Sequence, residues 1–440
     1  MNTRSRLRRF SPLLLALAAV VGITAYAAGP LNVGGPGAAP GVPYIWTTNP
    51  LTYWTDQGSL GTLSNAAANS LVGQAFGVWQ DIPTASLSFQ NAGSLGADVT
   101  ASNIGQVLDE VENCAIPLTG GSIARDRTII YDTDGTVLTA LGIDRNSALG
   151  VSSTVCFGSD GVSSNYYLRA LALLNGRFLD GIDTLSNPEV TLTGFKAVFI
   201  HEFGHLIGLD HAQVNLDCLT GGPACDLDGV PTMFPVLIDD LAMSTPAADD
   251  IAALSELYPS ASFTSSMGRI TGQVFFSDGV TPAQGFNVIA RRTNDPLLTA
   301  VSSVSGFLFT GDAGNPVYPW PGSDFGSRDQ DLIGYYDIPG LLPGNYTVEV
   351  EAINGTGEYA FVGGSSVGPI GASGWGFQFP LPSLLPTPPP CAQEYLVSGA
   401  TASCTDKTEI PIAAGQTVST GADVILIGTP PRYDAWEDAP

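Results

Sequence analysis

The chain contains three histidines, and all of them fall inside one short run, His201-Glu202-Phe203-Gly204-His205-Leu206-Ile207-Gly208-Leu209-Asp210-His211. Residues four apart share a face of a helix, so His201 and His205 can aim two imidazoles at one point. Gly208 permits a sharp change of direction, and His211 can then return as a third ligand. Three protein ligands with one open position is the catalytic form of a zinc site, whereas a structural site is closed by a fourth. Glu202 lies one position on from His201, within reach of a water held at that point. The chemistry expected is hydrolysis of a peptide bond. Zinc lowers the pKa of its water from roughly 16 to about 7, and Glu202 takes the proton as general base. Attack on the carbonyl follows, and Glu202 passes the proton to the leaving amine. Imidazoles must be neutral to bind metal, so activity is expected to fall in acid. A bare H-E-x-x-H arises by chance on surface helices, where its histidines are ordinary polar residues. The extended H-E-x-x-H-x-x-G-x-x-H is far rarer, and here it takes every histidine in the chain.

These side chains need a scaffold. Thr191 to Leu206 reads as a helix that Gly208 can end. A second helix is expected from Ser64 to Trp79, with Ala67, Leu71, Ala75 and Trp79 as its buried stripe. A third starts at Thr245-Pro246, with the Thr245 hydroxyl as N-cap, Asp249 and Asp250 near its positive end, and Pro259 as its stop. Strands are expected at Tyr44–Trp46, Leu87–Phe89 and Thr128–Tyr131. The region 44–260 is therefore mixed α+β. Beyond Met267 helical periodicity vanishes. Short segments follow at Ile270–Phe276, Phe286–Ala290, Gly334–Ile338, Asn345–Val350 and Val424–Ile427, the pattern of an all-β sandwich over 267–430. A long loop is expected at 311–330, an insertion at the Pro-rich 380–390, and a tail at 431–440.

The zinc segment resembles the signature of the metzincin metalloproteases, and Leu209-Asp210-His211 is similar to the matrixin branch. Pro231-Thr232-Met233-Phe234-Pro235 resembles the Met-turn of that family, which implies that Met233 packs beneath the metal. The Thr245–Tyr258 helix is similar to the closing helix of the domain, and Trp46, Tyr53 and Trp79 to its opening strand and helix. The resemblance implies a zincin fold over 44–260. It also implies that Leu149, Gly150 and Val151 lie on an edge strand pairing with a substrate main chain, and that Phe234 to Leu237 wall the pocket beside the scissile bond. The alternative for both is plain scaffold. The second, histidine-bound zinc of many matrixins has no histidine left here, and no cysteine precedes the domain to act as a latency switch. The C-terminal region, with GRITGQVFFSDG, AVSSVSGFLF and YYDIPGLLPGNYTVEVEA, resembles a carboxypeptidase regulatory-like β-sandwich; it carries no catalytic chemistry and is expected to bind substrate or surface polymer, or to act as a spacer.

Of 440 residues, 44% are apolar and only 13% charged, which fits a globular chain of two to three domains rather than a disordered one. Sixteen basic residues stand against 41 acidic ones, for a net charge of −25, which argues against nucleic-acid or anionic-membrane partners. Arg4, Arg6, Arg8 and Arg9 precede an apolar run from about Pro12 to Ile23 and then Ala25-Tyr26-Ala27, the layout of a secretory signal peptide over 1–27. The apolar run is short for a membrane span. Residues 28–43, rich in Gly, Pro and Ala, read as a flexible lead-in. The expected protein is secreted and monomeric and acts on protein or peptide substrates; the other reading is a surface adhesion protein with an idle zincin domain. In an oxidising compartment the six cysteines pair by proximity as Cys218–Cys225 and Cys391–Cys404, leaving Cys114 and Cys156, although six cysteines allow fifteen connectivities. Calcium is a further candidate at Asp132 and Asp134 in YDTDG, and at Asp226 and Asp228 in CDLDG. The competing reading there is a solvated turn in which Asp caps its own backbone.

Overall fold

The computed structural model describes residues 29–185, 187–215, 226–234, 237–309, 326–327, 329–352, 394–396, 399–401, 408–419 and 421–426. The signal segment, the Cys218/Cys225 and Cys391/Cys404 pairs, the Pro-rich insertion, most of the 311–330 loop and the tail lie outside the described residues.

The first half is built on a six-stranded sheet of β1 (Tyr44–Ile45), β2 (Leu51–Thr55), β3 (Phe89–Ser94), β4 (Arg127–Asp132), β5 (Gly150–Ser159) and β6 (Asn165–Asn175). Its order is β1-β6-β4-β2-β3 with parallel pairings, and β5 runs antiparallel along β6 from Gly150↔Leu174 to Ser159↔Asn165. Among the described residues β5 pairs with no other strand, so its outer edge is open. The central strands are apolar on both faces, as a sheet covered on both sides requires. On β6, Ala170, Ala172 and Leu174 enter one core while Leu171 and Leu173 enter the other. Three helices lie on these faces before the metal segment is reached: α1 (Asn65–Gln80), α2 (Ile104–Glu112) and the short α3 (Thr136–Ala140). Then follow α4 (Leu192–Leu206), α5 (Ala248–Leu257) and the single turn α6 (Phe263–Ser266). Helix α1 and α4 share the first core with Phe76, Trp79, Phe195, Phe199 and Phe203, and Phe76 stacks on Phe203 at 4.0 Å between centroids.

The buried stripe of α1 is Ala68, Leu71, Val72, Ala75, Phe76 and Trp79; Ala67 is exposed, so the stripe starts one position later than the spacing predicts. The N-cap of α5 is Ala247 rather than Thr245. Asp250 supplies the missing acceptor, its Oδ2 receiving the Ala247 N–H at 2.8 Å. The strand expected at Leu87–Phe89 begins at Phe89. The described part of the lead-in is hydrogen-bonded to distant residues. Leu31 N–H donates to the Gly208 carbonyl at 2.7 Å and Asp210 N–H to the Gly29 carbonyl at 3.2 Å. Asn165 clamps Ala39 through both its amide atoms at 2.8 and 2.9 Å. Composition suggested mobility there, but the segment's backbone groups find long-range partners. Cys114, just past α2, is disulfide-bonded to Cys156 on β5.

From Gly268 onward the described regular elements are strands apart from one 3₁₀ turn. One sheet joins β7 (Gly268–Phe275) to β10 (Tyr335–Leu341), β15 (Thr417–Val418) and β16 (Val424–Ile425). The other joins β8 (Phe286–Arg292) to β9 (Val301–Val304) and β11 (Gly344–Ala352), with β12 (Glu394–Leu396), β13 (Gly399–Thr401) and β14 (Ile410–Ile412). Both contribute to one apolar core containing Ile270, Val274, Val288, Tyr336, Val348 and Val424. No helix among the described residues is long and apolar enough to cross a membrane.

Candidate metal centre

Helix α4 begins at Thr191, whose hydroxyl accepts the Gly194 N–H at 3.0 Å. Backbone amides of residues 207–209 take its carbonyls at Phe203, Gly204 and His205, and aromatic side chains bind others along its second half and just past its end. Trp79 Nε1 donates to the Ile200 carbonyl at 2.9 Å, Trp46 Nε1 to that of Leu206 at 2.8 Å, and the Tyr258 hydroxyl to that of Ile207 at 2.7 Å. Gly208, with φ of 97°, turns the chain back toward the helix.

The result is a triangle of nitrogens. Nε2 of His205 lies 3.1 Å from Nε2 of His201 and 3.1 Å from that of His211, and the third side is 3.2 Å. Ligands at 2.0–2.1 Å from one tetrahedral zinc stand about 3.3–3.4 Å apart, so the spacing fits. The tautomers sharpen the test. His201 Nδ1 faces the Thr232 carbonyl at 2.8 Å and His205 Nδ1 the Leu209 carbonyl at 2.9 Å. A carbonyl only accepts, so each Nδ1 carries the proton and each Nε2 a lone pair. Two lone pairs facing each other at 3.1 Å repel unless a cation lies between them, and carbonyl-anchored imidazoles are the usual outer shell of a metal site. Among the described residues no other group of three or more His, Cys, Asp or Glu side chains gathers in this way, and no carboxylate or thiolate joins these three. Burial pushes His201 down to about 4; burial, with the neighbouring His201, pushes His205 down to about 3. Both are therefore neutral, as ligands must be.

Glu202 is buried, which raises its carboxyl to about 8; a cation held by the trio would oppose that shift. Its side chain occupies the space left by Gly150, where a Cβ would fall 2.7 Å from Glu202 Cγ and 2.9 Å from Oε1. Met233 packs against Gly204, the residue before His205. A Cβ on Gly204 would fall 2.2 Å from its Sδ, so the glycine within the motif lets the methionine approach the helix. Asp250 holds this turn in place. Its Oδ2 accepts the Thr232 N–H at 2.8 Å and its Oδ1 the Met233 N–H at 3.0 Å, with burial raising the carboxyl to about 6. Thr232 in turn anchors His201, so Asp250 is coupled to a ligand through one residue. Buried Asp210 accepts the His211 N–H at 2.6 Å.

A cleft of about 180 Å³ opens on His201 and Glu202, between Ser147, Ala148, Leu149 and Gly150 on one side and Phe234, Leu237 and Met243 on the other, with Ala197 and Val198 between. Leu149 and Gly150 line the cleft; Gly150 and Val151 lie on β5, and the Val151 side chain packs against the core on the other face of the sheet. Phe234 and Leu237 form part of the wall, while Pro235 and Val236 lie outside the described residues. The acidic pairs act within their own turns. Asp132 Oδ2 accepts the Leu138 N–H at 2.8 Å, Asp134 caps Thr136 at 3.1 Å, and Asp226 accepts the Asp228 N–H at 3.2 Å. The local sequence does not mark Gly150 as the seat of Glu202, Thr232 as an anchor, or Asp250 as a support. A glycine opening a strand and an aspartate pair at a helix start were the available signals.

Residues 45–221 match the family model for Matrixin, and the trio, Glu202 and Gly208 lie inside that span. The match supports a matrixin-like, zinc metalloendopeptidase-type domain with an α+β fold, and that family depends on zinc. No curated protein sequence matches the chain. Solved structures with some likeness include the major pilin subunit of Bacillus cereus, at 11% identity over 37% of this chain and 31% of that one, with a TM-score of 0.17. Another is the minor pilin of Streptococcus agalactiae, at 15% identity over 40% of this chain and 50% of that one, with a TM-score of 0.16. The chain therefore spans half or less of either pilin structure, and TM-scores this low bear on neither fold nor function.

Proposed function

We propose that the chain is a secreted zinc-dependent endopeptidase with Glu202 as general base. The observation that carries this is the Nε2 triangle in which both carbonyl-anchored imidazoles turn their lone pairs to one point. His201, His205 and His211 would hold the zinc, which supplies a Lewis acid for a carbonyl and makes water acidic enough to react near neutral pH. The protein's own residues do the rest. The open edge of β5, which starts at Gly150, offers main-chain donors and acceptors to an extended peptide, laying it across the cleft by strand addition. Phe234, Leu237 and Met243 present an apolar wall to the side chain next to the scissile bond. Glu202 takes a proton from water at its carboxylate and returns it to the leaving amine; a burial-raised proton affinity suits a group that must do both near pH 7.

In this reading residues 1–27 direct export, and the two C-terminal sheets form a sandwich of the carboxypeptidase regulatory-like kind. An adhesion protein with an idle zincin domain has no need of a base, nor of the glycine that makes room for it. The test is cleavage of a peptide library by the protein and by Glu202→Gln. Cleavage that is lost in the variant, and lost on chelation, supports the proposal; equal cleavage by both proteins refutes it.

A further inference from the structure

Strand β8 is buried on both faces, an uncommon state for a strand in an appended module. Phe286, Val288 and Ala290 enter the core of the C-terminal sheets. The alternate residues Asn287, Ile289 and Arg291 face the other way, onto the segment that follows the third histidine. They meet it in register. Asn287 Nδ2 donates to the Gln213 carbonyl at 2.5 Å, Ile289 packs with Ala300 on Val214, and Arg291 Nη1 donates to Asn215 Oδ1 at 2.6 Å. Arg291 is itself held by Glu349 on the next strand. Asn215 adopts the left-handed region, φ 59°, and its Nδ2 donates to the Gly229 carbonyl at 2.8 Å and to that of Leu297 at 3.0 Å. One side chain thus ties the third-ligand segment, the approach to the Met-turn and the C-terminal sheet. Ala212 completes the connection, its N–H donating to the Met233 carbonyl at 2.8 Å.

We propose that β8 braces the metal centre: the C-terminal sheets fix residues 212–215 and so position the His211 imidazole, making them part of the apparatus that retains the metal rather than a spacer. This rests on the zinc reading above. Outer-shell partners of metal ligands typically change metal affinity by about 10- to 100-fold when removed, and a brace acting one step further out belongs at the low end.

The experiment loads the full chain with zinc and follows its transfer to a colorimetric chelator. Two variants cut the brace: Asn287→Ala, and Asn215→Gly, whose backbone accepts the left-handed conformation freely. Tyr336→Phe, which removes the bond to the Ala422 carbonyl inside the C-terminal core, is the control for loosening that module elsewhere. Zinc release about tenfold faster in both brace variants, with Tyr336→Phe like the wild type, supports the proposal. Unchanged release in the brace variants, or equal acceleration in the control, overturns it. Wild-type protein that takes up no zinc overturns the zinc reading itself, a result distinguishable from failure of the brace alone.

Discussion

Replacing Gly150 with alanine asks whether Glu202 works from the position it occupies. The new methyl would lie 2.7 Å from Glu202 Cγ and 2.9 Å from Oε1, against roughly 3.5–4.0 Å for an ordinary carbon contact. Relief needs a displacement of about 1 Å. Gly150 opens β5 without a left-handed φ, so alanine fits the backbone and costs the folded state little. The carboxylate is the part free to move. A misplacement of about 1 Å costs on the order of 10²-fold in rate, which is about 2.7 kcal/mol of activation free energy. Kinetics on a fluorogenic peptide, with zinc content and thermal midpoint measured alongside, should show kcat lowered about 100-fold, one zinc retained and the midpoint within a few degrees of wild type. An unaltered kcat would refute the placement of the base. A loss confined to KM would show that the strand had shifted instead.

The remaining predictions concern the supports of the trio. At pH 8, above the value of about 6 to which burial raises Asp250, the Asp250→Asn change turns an amide N–H₂ toward at least one of three backbone donors. One stranded buried donor costs about 1–3 kcal/mol, a fall of roughly 3–10 °C in thermal midpoint; an unchanged midpoint would contradict the account. The metal-free protein should lose stability in acid through its ligands. His205 is held near 3 when folded but titrates at about 6.5 when unfolded, so the unfolded chain binds the proton first and stability falls as pH drops below 6.5. In urea titrations the stability of metal-free wild type relative to His205→Gln should decline by up to about 1.4 kcal/mol per pH unit between 6.5 and 4. Comparing the two proteins cancels the buried carboxyls, whose raised values act in the opposite sense. A pH-independent difference would mean that the fold does not hold His205 as a neutral base.

The centre was legible in the sequence because its information is local. His201 and His205 are four apart on a helix, Gly208 follows, and His211 completes the set within one turn and one bend. Helix α4 and the strands β7, β8, β10 and β11 were legible for the same reason, as short-range patterns of period 3.6 or 2. What the chain does not announce is set by partners far away in sequence. Residues 29–43 have the composition of a loose segment, yet Asn165 and Gly208 supply their hydrogen-bond partners. Helix α5 is capped at Ala247 rather than Thr245, and Asp250 serves both its end and the Thr232–Met233 backbone. Gly150 reads as a strand glycine until Glu202 is seen against it. Strand β8 reads as an ordinary half-buried strand, and only its contacts with Gln213, Val214 and Asn215 explain why both faces are buried.

The most direct measurement is the metal content of the purified chain after zinc loading and dialysis, set beside that of His205→Ala. The account predicts one tightly held zinc per chain, absent from the variant. A correctly folded wild-type protein that emerges metal-free, or a variant that keeps its zinc, would contradict it.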